Sequence, residues 1–462
     1  MNVSYEVKTA GLLPKTLPLI IFVEGFVSIA VEILAIRQLL PVAGSSVIVT
    51  SLIIGIFLLF LAIGYQQGGR VQQNRQTKLH LNFLVSAAGM GIGLSYLFVI
   101  YFFYAIQHWA SDHIIYPLVL YLLLIISPLA YLLGQTVPIT MGLARKDQSI
   151  ASISGTILGL NTLGSFLGAI ITSLVFMQYL GVAWAIVINT ALLMGLILLS
   201  SSNRFSFFKY SILGFLIVYG TYVINVKSEH QLFILTNSYA NYQILQPNPY
   251  QKIFSINHSA SSIINNNHQG APYIELIKKI LFQDLQLRHA DILVLGAGGF
   301  TLTAENAYDN QVTYVDIDKA IKKAAIPRFV PHFSDQLAIQ DARQFIQKSK
   351  KQYQVIIIDV YSNKFAIPAY LLTQEFFFSV KQKLTDSGTA IFNFIINPLL
   401  QDRYSKRIDN TVRAVFNDCM GVPLAYQDQA TNVIYICHQS GLTDTMIYTD
   451  NLNRSTTDSF EW

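Results

Sequence analysis

The sequence predicts an N-terminal all-α transmembrane bundle of about seven helices, followed by a soluble α/β domain with a doubly wound sheet. Three observations support this division. Charged residues make up only 12% of the 462 residues and hydrophobic residues 52%, whereas a soluble globular protein carries about 25% charged residues. Long apolar stretches are confined to the first half. Beyond about residue 226, short apolar runs alternate with helix-like segments, as in parallel sheets.

The net charge of +5 belongs to the first half, because the chain from Lys227 onward carries equal numbers of basic and acidic residues. No basic patch indicates binding to nucleic acid. The first apolar run lacks the small-residue cleavage site of a signal peptide, so it is interpreted as a retained span. Cys419 and Cys437 are far apart and have no metal-ligand spacing, which favours free thiols over a disulfide and predicts no metal site.

Seven stretches are long and apolar enough to cross about 30 Å of hydrocarbon. They are Leu17–Ile36, Val47–Tyr65, Phe83–Ile106, Ile115–Val137, Ile153–Tyr179, Ala183–Ser200 and Tyr210–Val226. Lipid is therefore a predicted partner, and the inner (cell) membrane the predicted location of a multi-pass protein. Glycines within the fifth stretch, from Gly155 to Gly168, indicate close helix packing. Glu32 and Arg37 are interpreted either as an internal ion pair or as the lining of a polar path.

Lys and Arg in the loops predict that the N-terminus is cytoplasmic. Seven crossings would then place the second half outside, which conflicts with a cytosolic supply of nucleotide substrates. Two solutions stay open. One of the segments is re-entrant or interfacial, or else the soluble domain faces away from the cytosol.

The second half begins with a small β region, 227–270, and continues as an α/β domain over 271–462, after the transmembrane domain, 1–226. Its predicted strands are Asp291–Leu295, Gln311–Val315, Gln336–Ile339, Tyr353–Ile358, Gly388–Phe394 and Asn432–Cys437. Several of these are apolar on both faces, as in a parallel sheet covered by helices. Ligands of such sheets bind at the carboxyl ends of the strands.

The predicted strand ends carry glycines and carboxylates. Gly296 and Gly298 follow the first strand and allow a tight turn beside the start of a predicted helix, Thr301–Tyr308. Asp316 ends the second strand, where a carboxylate accepts ribose hydroxyls, and Asp341 follows the third, where it accepts an adenine amino group. Asp359 follows the fourth strand. Helix capping is the alternative role for such residues, above all for Asp318.

These motifs resemble the spermidine synthase (polyamine aminopropyltransferase) family, and in particular its branch with an N-terminal membrane domain. The matching segments are Tyr242-Gln243-Ile244, Tyr273-Ile274-Glu275, the Gly296 turn, Val315-Asp316-Ile317-Asp318, Asp341-Ala342, Asp359 to Pro368, Thr373-Gln374-Glu375-Phe376 and, in the membrane half, Glu32 to Arg37, the Pro41 to Ser46 turn and Gly68-Gly69-Arg70. The resemblance implies a class I methyltransferase-like (Rossmann-like) fold.

The resemblance also implies residue roles. Gln243 and Asp316 would hold the ribose and the methionine-derived part of decarboxylated S-adenosylmethionine, and Asp341 would contact the adenine. Tyr273 and Tyr361 would flank a small amine substrate. Asp359 would be the base that deprotonates the attacking amine. No covalently bound cofactor and no metal are implied, because the sulfonium is already an activated leaving group.

Two departures from the family pattern affect amine recognition. Gly299 stands where the family has the aspartate that contacts the aminopropyl amine, and Ser362 stands where it has the carboxylate that grips the diamine. Each lost charge-assisted hydrogen bond is worth about 1.5–3 kcal/mol. Three functions therefore stay open: a membrane-bound aminopropyltransferase, an S-adenosylmethionine-dependent methyltransferase, and a catalytically silent transport or sensing protein. The acceptor and the oligomeric state, including a homo-oligomer, are not fixed by the sequence.

Overall fold

The computed structural model describes residues 16–44, 46–110, 114–143, 150–201, 204–267, 269–304, 308–361 and 367–439. The chain divides into two compact units. The first, the helical unit, comprises the chain up to Pro247 together with Lys252–Ser261. The second, the sheet unit, comprises Asn248–Gln251, Ser262–Tyr361 and the chain from Ile367 onward.

The helical unit is built from long apolar helices and shorter segments between them. They are α1 (Leu17–Ala43), α2 (Val47–Gly69), α3 (Arg75–Gly93), α4 (Tyr96–Ala110), α5 (Ile115–Tyr121), α6 (Ser127–Gly134), α7 (Thr136–Met141), α8 (Ile150–Ile170), α9 (Val182–Leu199), α10 (Arg204–Tyr222) and α11 (Ser228–Leu232). Short π-helical segments, Leu122–Ile126, Ile171–Leu180 and Val223–Lys227, continue α5, α8 and α10 without a break in the chain direction.

Six helical stretches in the described part of the chain are long and apolar enough to cross a membrane. They coincide with six of the predicted spans and are compatible with a membrane protein. The remaining predicted span, Phe83–Ile106, is a pair of helices, α3 and α4, bent by 71°, and counting the pair as one span gives seven. At the bend, the Ser95 hydroxyl accepts a hydrogen bond from the Phe98 amide (3.2 Å) and Gln38 donates to the Leu94 carbonyl (2.8 Å), which satisfies backbone groups that the break exposes.

Close packing of α1 against α8 depends on glycine. A Cβ at Gly164 would lie 2.0 Å from the Phe22 carbonyl oxygen, and one at Gly168 would lie 2.4 Å from that of Phe26. Any side chain there would push the two helices apart. Gly155 and Gly159 have no neighbour within 4 Å of such a Cβ. The packing role predicted for these glycines therefore holds at the second pair and not at the first.

Arg37, near the end of α1, is buried and hydrogen-bonded within the helical unit. Its guanidinium donates to the Asn237 carbonyl (2.7 Å) and to Asn241 Oδ1 (2.6 Å). Glu24, more than three turns earlier on the same helix, accepts a hydrogen bond from Asn161 Nδ2 (2.7 Å). These contacts are structural: they tie α1 to the segment before the first long strand and to α8. Both alternatives for Glu32 and Arg37, an internal ion pair and the lining of a polar path, stay predictions.

A four-stranded sheet follows the helices. Its strands, in spatial order, are β1 (Leu235–Thr236), β2 (Asn241–Asn248), β3 (Gln251–Ile256) and β4 (Ser259–Asn265). The tight connections between consecutive strands explain the meander, and Asn257 and His258 take positive φ at the β3–β4 turn, as turn residues do.

The sheet unit contains a seven-stranded mixed sheet. Its strands are β5 (Asp291–Leu295), β6 (Gln311–Asp316), β7 (Gln336–Ile339), β8 (Tyr353–Ile358), β9 (Leu384–Ile396), β10 (Cys419–Pro423) and β11 (Thr431–His438). Their order is β10-β11-β9-β8-β5-β6-β7. The pairs β5–β6, β6–β7, β5–β8 and β8–β9 are parallel, whereas β11 is antiparallel to both of its neighbours. This is the class I methyltransferase-like Rossmann fold, as predicted.

Helices and short helical turns connect these strands. They are α12 (Pro272–Lys279), extended by a π-helical segment (Ile280–Asp284), α13 (Ile321–Ala325), α14 (Ala342–Lys348), a 3₁₀ turn (Ala369–Leu371), α15 (Gln374–Gln382) and α16 (Arg403–Arg413). Three begin with a side-chain cap, in which Asp341, Thr373 and Asp402 accept a hydrogen bond from a backbone N–H three residues on.

The predicted helix Thr301–Tyr308 is wrong in the residues that can be compared. Residues 301–304 form turns and bends, and residues 305–307 lie outside the described chain. Phe300 and Tyr308 have positive φ, which a helix does not allow. The Thr303 hydroxyl bonds the Tyr314 hydroxyl (2.9 Å) and also donates to Asp335. Such side-chain bonds compete with helix formation.

The prediction of free thiols is also wrong. Cys419 and Cys437 form a disulfide between β10 and β11. The two residues are directly opposite each other in the antiparallel register, with Cα atoms 4.2 Å apart. The two cysteines are 18 residues apart in sequence and come together only because β10 pairs with β11.

Candidate active site

The candidate site is built on the turn after β5, at the centre of the sheet. Gly296 has φ +92° and Gly298 φ +49°, conformations that favour glycine. A Cβ at Gly296 would lie 2.2 Å from the Asp359 carbonyl oxygen. This glycine therefore lets the turn after β5 approach the end of β8. Connections leave β5 and β8 toward opposite sides of the sheet, so this edge is its topological switch point, where ligands of such sheets bind.

No helix begins directly after this turn, which corrects one part of the predicted site. The chain after Gly298 continues through Phe300, buried and at φ +60°, into the turns described above. A helix dipole therefore contributes nothing here. What the turn offers to a ligand is its backbone, held close to two carboxylates.

Asp316 holds the glycine turn from the end of β6. Its Oδ2 accepts a hydrogen bond from the Ala297 amide (3.1 Å) and its Oδ1 accepts one from the Asp318 amide (2.9 Å). Burial raises the pKa of Asp316 to about 6, against the opposing effect of these amides. A carboxylate has about four lone-pair sites. The Ile317 amide also stabilises this carboxylate. The acceptor capacity that is left is what a ribose hydroxyl would use.

Asp359, directly after β8, is held by two donors. Its Oδ2 accepts from the Tyr273 hydroxyl (3.1 Å) and its Oδ1 from Asn393 Nδ2 (2.9 Å). Burial raises the pKa of Asp359, and these two hydrogen bonds act in the opposite direction. Burial and the neighbouring carboxylate raise the pKa of Tyr273 well above its ordinary value, so its hydroxyl keeps its proton and remains a donor. The structure thus brings Tyr273 and Asp359 together.

Asn393 was not predicted from the sequence. It lies in β9, is only 3% exposed, and its Oδ1 accepts a hydrogen bond from Asn432 Nδ2 (2.8 Å) on β11. Because Asn432 donates to the oxygen of this amide, the nitrogen is directed toward Asp359. A signal was present: Asn393 interrupts the apolar run Ile391-Phe392-Asn393-Phe394. A polar residue in a strand buried on both faces needs a buried partner.

Tyr361 lies close to Asp359 in sequence and anchors the chain after β8. Its hydroxyl donates to the Asn393 carbonyl (2.9 Å) and accepts from the Ile395 amide (2.8 Å). The hydroxyl proton is therefore used by β9. A contribution of Tyr361 to substrate binding would have to come from its ring.

Asp341 lies after β7, as predicted, and caps α14. Its Oδ1 accepts from the Gln344 amide (2.9 Å) and its Oδ2 from the Tyr370 hydroxyl (2.7 Å). Burial and this carboxylate raise the pKa of Tyr370 to about 12. The capping role and the adenine-binding role are compatible, since a carboxylate with two donors keeps acceptor capacity.

Comparison with known proteins identifies the sheet unit. Residues 272–441 match the spermine/spermidine synthase domain. We refer to residues 272–441, the part of the chain that matches this family, as the synthase domain. A polyamine aminopropyltransferase of Vibrio vulnificus is 28% identical over 156 residues, which are 32% of this chain and 50% of that protein. The chain thus spans half the length of that relative.

Two further relatives extend the comparison. Polyamine aminopropyltransferase 2 of Aquifex aeolicus is 23% identical over 399 residues, 81% of this chain and 78% of that protein, so the match necessarily includes part of the helical unit. A probable spermidine synthase structure from Corynebacterium glutamicum overlaps 48% of this chain and 84% of that one, with 20% identity and a TM-score of 0.38. The strand order, rather than this partial overlap, identifies the fold.

At Gly299 the synthase domain departs from the family pattern, and the structure supplies the reason. The Gly299 amide donates to the Ser262 hydroxyl (2.8 Å). A Cβ at this position would lie 2.5 Å from Phe329 Cε1 and 2.9 Å from Ser262 Cβ. The carboxylate that the resemblance places here has no room without movement of Phe329. The packing around Gly299 therefore leaves no room for a side chain.

The predicted roles of two further residues remain predictions. Gln243 lies on β2, half-buried, in the helical unit as the chain divides. Ser362 lies outside the described residues. In the part of the chain that the structure describes, no group of three or more His, Cys, Asp or Glu residues could hold a metal ion.

Proposed function

We propose that the synthase domain transfers an aminopropyl group from decarboxylated S-adenosylmethionine to a small amine, with Asp359 as the general base. The observation that carries this proposal is the Asp359 carboxylate, held between Tyr273 and Asn393 beside the Gly296 turn. The names of the two curated relatives, both polyamine aminopropyltransferases, support the reaction class. Asp316 would bind the nucleoside and Asp341 the adenine.

The chemistry requires a base and a positioned electrophile. An ammonium has no lone pair, so one proton must first pass from the substrate nitrogen to Asp359. The amine then attacks the methylene carbon beside the sulfonium. A C–N bond forms, the C–S bond breaks, and methylthioadenosine leaves with the bonding electrons. The proton on Asp359 returns to solvent after the product leaves.

The raised pKa of Asp359 suits this task. A carboxylate in water is a weak base near neutral pH, and burial that raises its pKa strengthens it. Tyr273 and Asn393 each stabilise the ionised form and so oppose the effect of burial on the pKa of Asp359. Tyr273 also closes one side of the carboxylate, which leaves the remaining acceptor directions for the substrate.

We further propose that the helical unit places the protein in a membrane. The outward-facing side chains of α10 support this, because Phe208 and Phe215 are 67% and 68% exposed, and α2 likewise exposes Leu58 at 53%. Contiguous apolar surface of this kind is unfavourable in water and normal against lipid.

Calorimetry and turnover on the detergent-solubilised full chain test the proposal. We expect binding of methylthioadenosine and of decarboxylated S-adenosylmethionine, and amine-dependent release of methylthioadenosine. Asp359→Asn should lower turnover by about 10²–10⁴-fold with little change in nucleotide affinity. Turnover that survives this change would remove Asp359 as the base. A preference for intact S-adenosylmethionine, with methyl transfer, would indicate a methyltransferase instead. Absence of binding would indicate a catalytically silent transport or sensing protein.

A further inference from the structure

Basic residues near the spans follow a strict alternation along the helical unit. They occur before α1, between α2 and α3, between α7 and α8, and between α9 and α10. These residues are Lys8 and Lys15; Arg70, Arg75 and Lys78; Arg145 and Lys146; and Arg204 and Lys209. The intervening connections, around residues 44–46, 108–114 and 181, contain no Lys or Arg. Connections rich in Lys and Arg stay on the cytoplasmic side.

This alternation decides how the bent pair α3–α4 counts. If the pair crosses the membrane once, these nine basic residues lie on one side, and Lys227, at the far end of the last span, lies on the other. If the pair is re-entrant and returns to its own side, Arg145, Lys146, Arg204 and Lys209 move to the side opposite Arg70 and Lys78. The second arrangement divides the charges almost evenly and contradicts the rule. The pair therefore counts as one crossing, which makes seven.

The disulfide is an independent observation on the other unit. Cys419 and Cys437 are bonded across adjacent strands of the synthase domain, and no other cysteine exists in the chain. Structural disulfides persist in oxidising compartments and are rare in the cytosol, where thiols are kept reduced. Because both cysteines of the chain are in this disulfide, we expect the synthase domain to be outside the cytoplasmic membrane.

We infer that the synthase domain lies on the extracytoplasmic side of the membrane. The inference rests on the proposed membrane placement and not on the proposed chemistry. The odd number of crossings and the disulfide are independent observations, and both indicate the extracytoplasmic side. This resolves the conflict between seven spans and a cytosolic nucleotide supply in favour of an outward-facing domain, whose sulfonium donor must then reach that side of the membrane.

Thiol labelling in intact cells tests the inference on the full chain. In a Cys419→Ser, Cys437→Ser background, one cysteine is introduced at a time at two exposed glutamines, Gln382→Cys at the end of α15 and Gln73→Cys between α2 and α3. A membrane-impermeant maleimide is expected to label Gln382→Cys in intact cells and Gln73→Cys only after lysis. Labelling of both sites under the same condition, or the reverse pattern, overturns the inference.

Two measurements on the chain with both native cysteines retained avoid the risk that a cysteine variant fails to fold. A phosphatase that is active only outside the cytosol, fused after Trp462, should be active, and a fluorescent protein that folds only inside should be dark. Alkylation of the denatured wild-type chain without reductant should leave both thiols unmodified. Alkylation of both thiols would contradict the inference. So would an inactive phosphatase fusion together with a fluorescent protein fusion that is bright. Neither result bears on Asp359, so turnover in detergent tests the chemistry separately.

Discussion

Replacement of Asn393 by leucine should shift the pH dependence of catalysis, because Asn393 positions and stabilises the ionised base. Its Nδ2 donates to Asp359 Oδ1 at 2.9 Å. A hydrogen bond to a buried charged group is worth about 1.5–3 kcal/mol, and one pKa unit corresponds to about 1.4 kcal/mol. Loss of the bond destabilises the carboxylate relative to the acid. The pKa of Asp359, already raised by burial, should therefore rise by a further 1 to 2 units, roughly.

The acidic limb of kcat/KM reports the base in the free enzyme. It should move to higher pH by about 1 to 2 units in Asn393→Leu, measured as amine-dependent release of methylthioadenosine across the pH range. Tyr273 and Tyr361 are the other titratable groups close to Asp359, and both have raised pKa values. They stay protonated over the range of the acidic limb and do not contribute to it.

Asn310→Leu is the matched control. Asn310 is also buried, at 8% exposure, and its side chain bonds the Ala290 amide (2.9 Å) and the Leu287 carbonyl (3.1 Å) near the opposite end of the sheet strands. Its replacement should cost stability without moving the limb. An unmoved limb in Asn393→Leu, or equal shifts in both variants, would refute the positioning role. Because the limb is a property of the active fraction, partial misfolding cannot imitate the shift.

Three further predictions address the nucleotide pocket, the glycine turn and the disulfide. Affinity for methylthioadenosine should fall as the pH drops through about 6, where Asp316 gains a proton and loses an acceptor, and calorimetry should find this dependence absent in Asp316→Asn. Gly299→Asp should not restore diamine recognition and should lower the thermal midpoint, because the new Cβ would lie 2.5 Å from Phe329 and overpacking costs about 1–3 kcal/mol; gained diamine turnover would contradict this. Cys419→Ser with Cys437→Ser should lose about 3 kcal/mol of unfolding free energy, and unchanged denaturant midpoints would show that the bridge adds no stability.

Protonation of Asp316 also increases the free energy of unfolding of the protein without ligand. Its pKa in the folded protein is raised above the unfolded value, to about 6. Such a group contributes stability that is fully present below the unfolded pKa and is lost as the pH rises through the folded one. Acid should therefore stabilise the empty pocket and weaken ligand binding. The two effects have opposite directions and can be separated by unfolding with and without methylthioadenosine.

Much of the sheet could be predicted from the sequence because its signals are local. Runs such as Val355-Ile356-Ile357-Ile358 are apolar on both faces and indicate buried parallel strands. Asp316, Asp341 and Asp359 could be placed at one edge, since parallel strands direct their carboxyl ends the same way. The edge strand β10 was missed because Gly421 and Pro423 are typical of turns and tolerated at sheet edges.

The sequence by itself determined the apolar helices, the parallel strands and the carboxylates at the strand ends, because periodicity and strand direction act over a few residues. Only the tertiary structure decided which side chains hold Asp359, that Cys419 and Cys437 meet, and that Gly299 faces Phe329. Each of these depends on the register between segments distant in sequence. That register is set by packing of the whole sheet, which no local pattern contains.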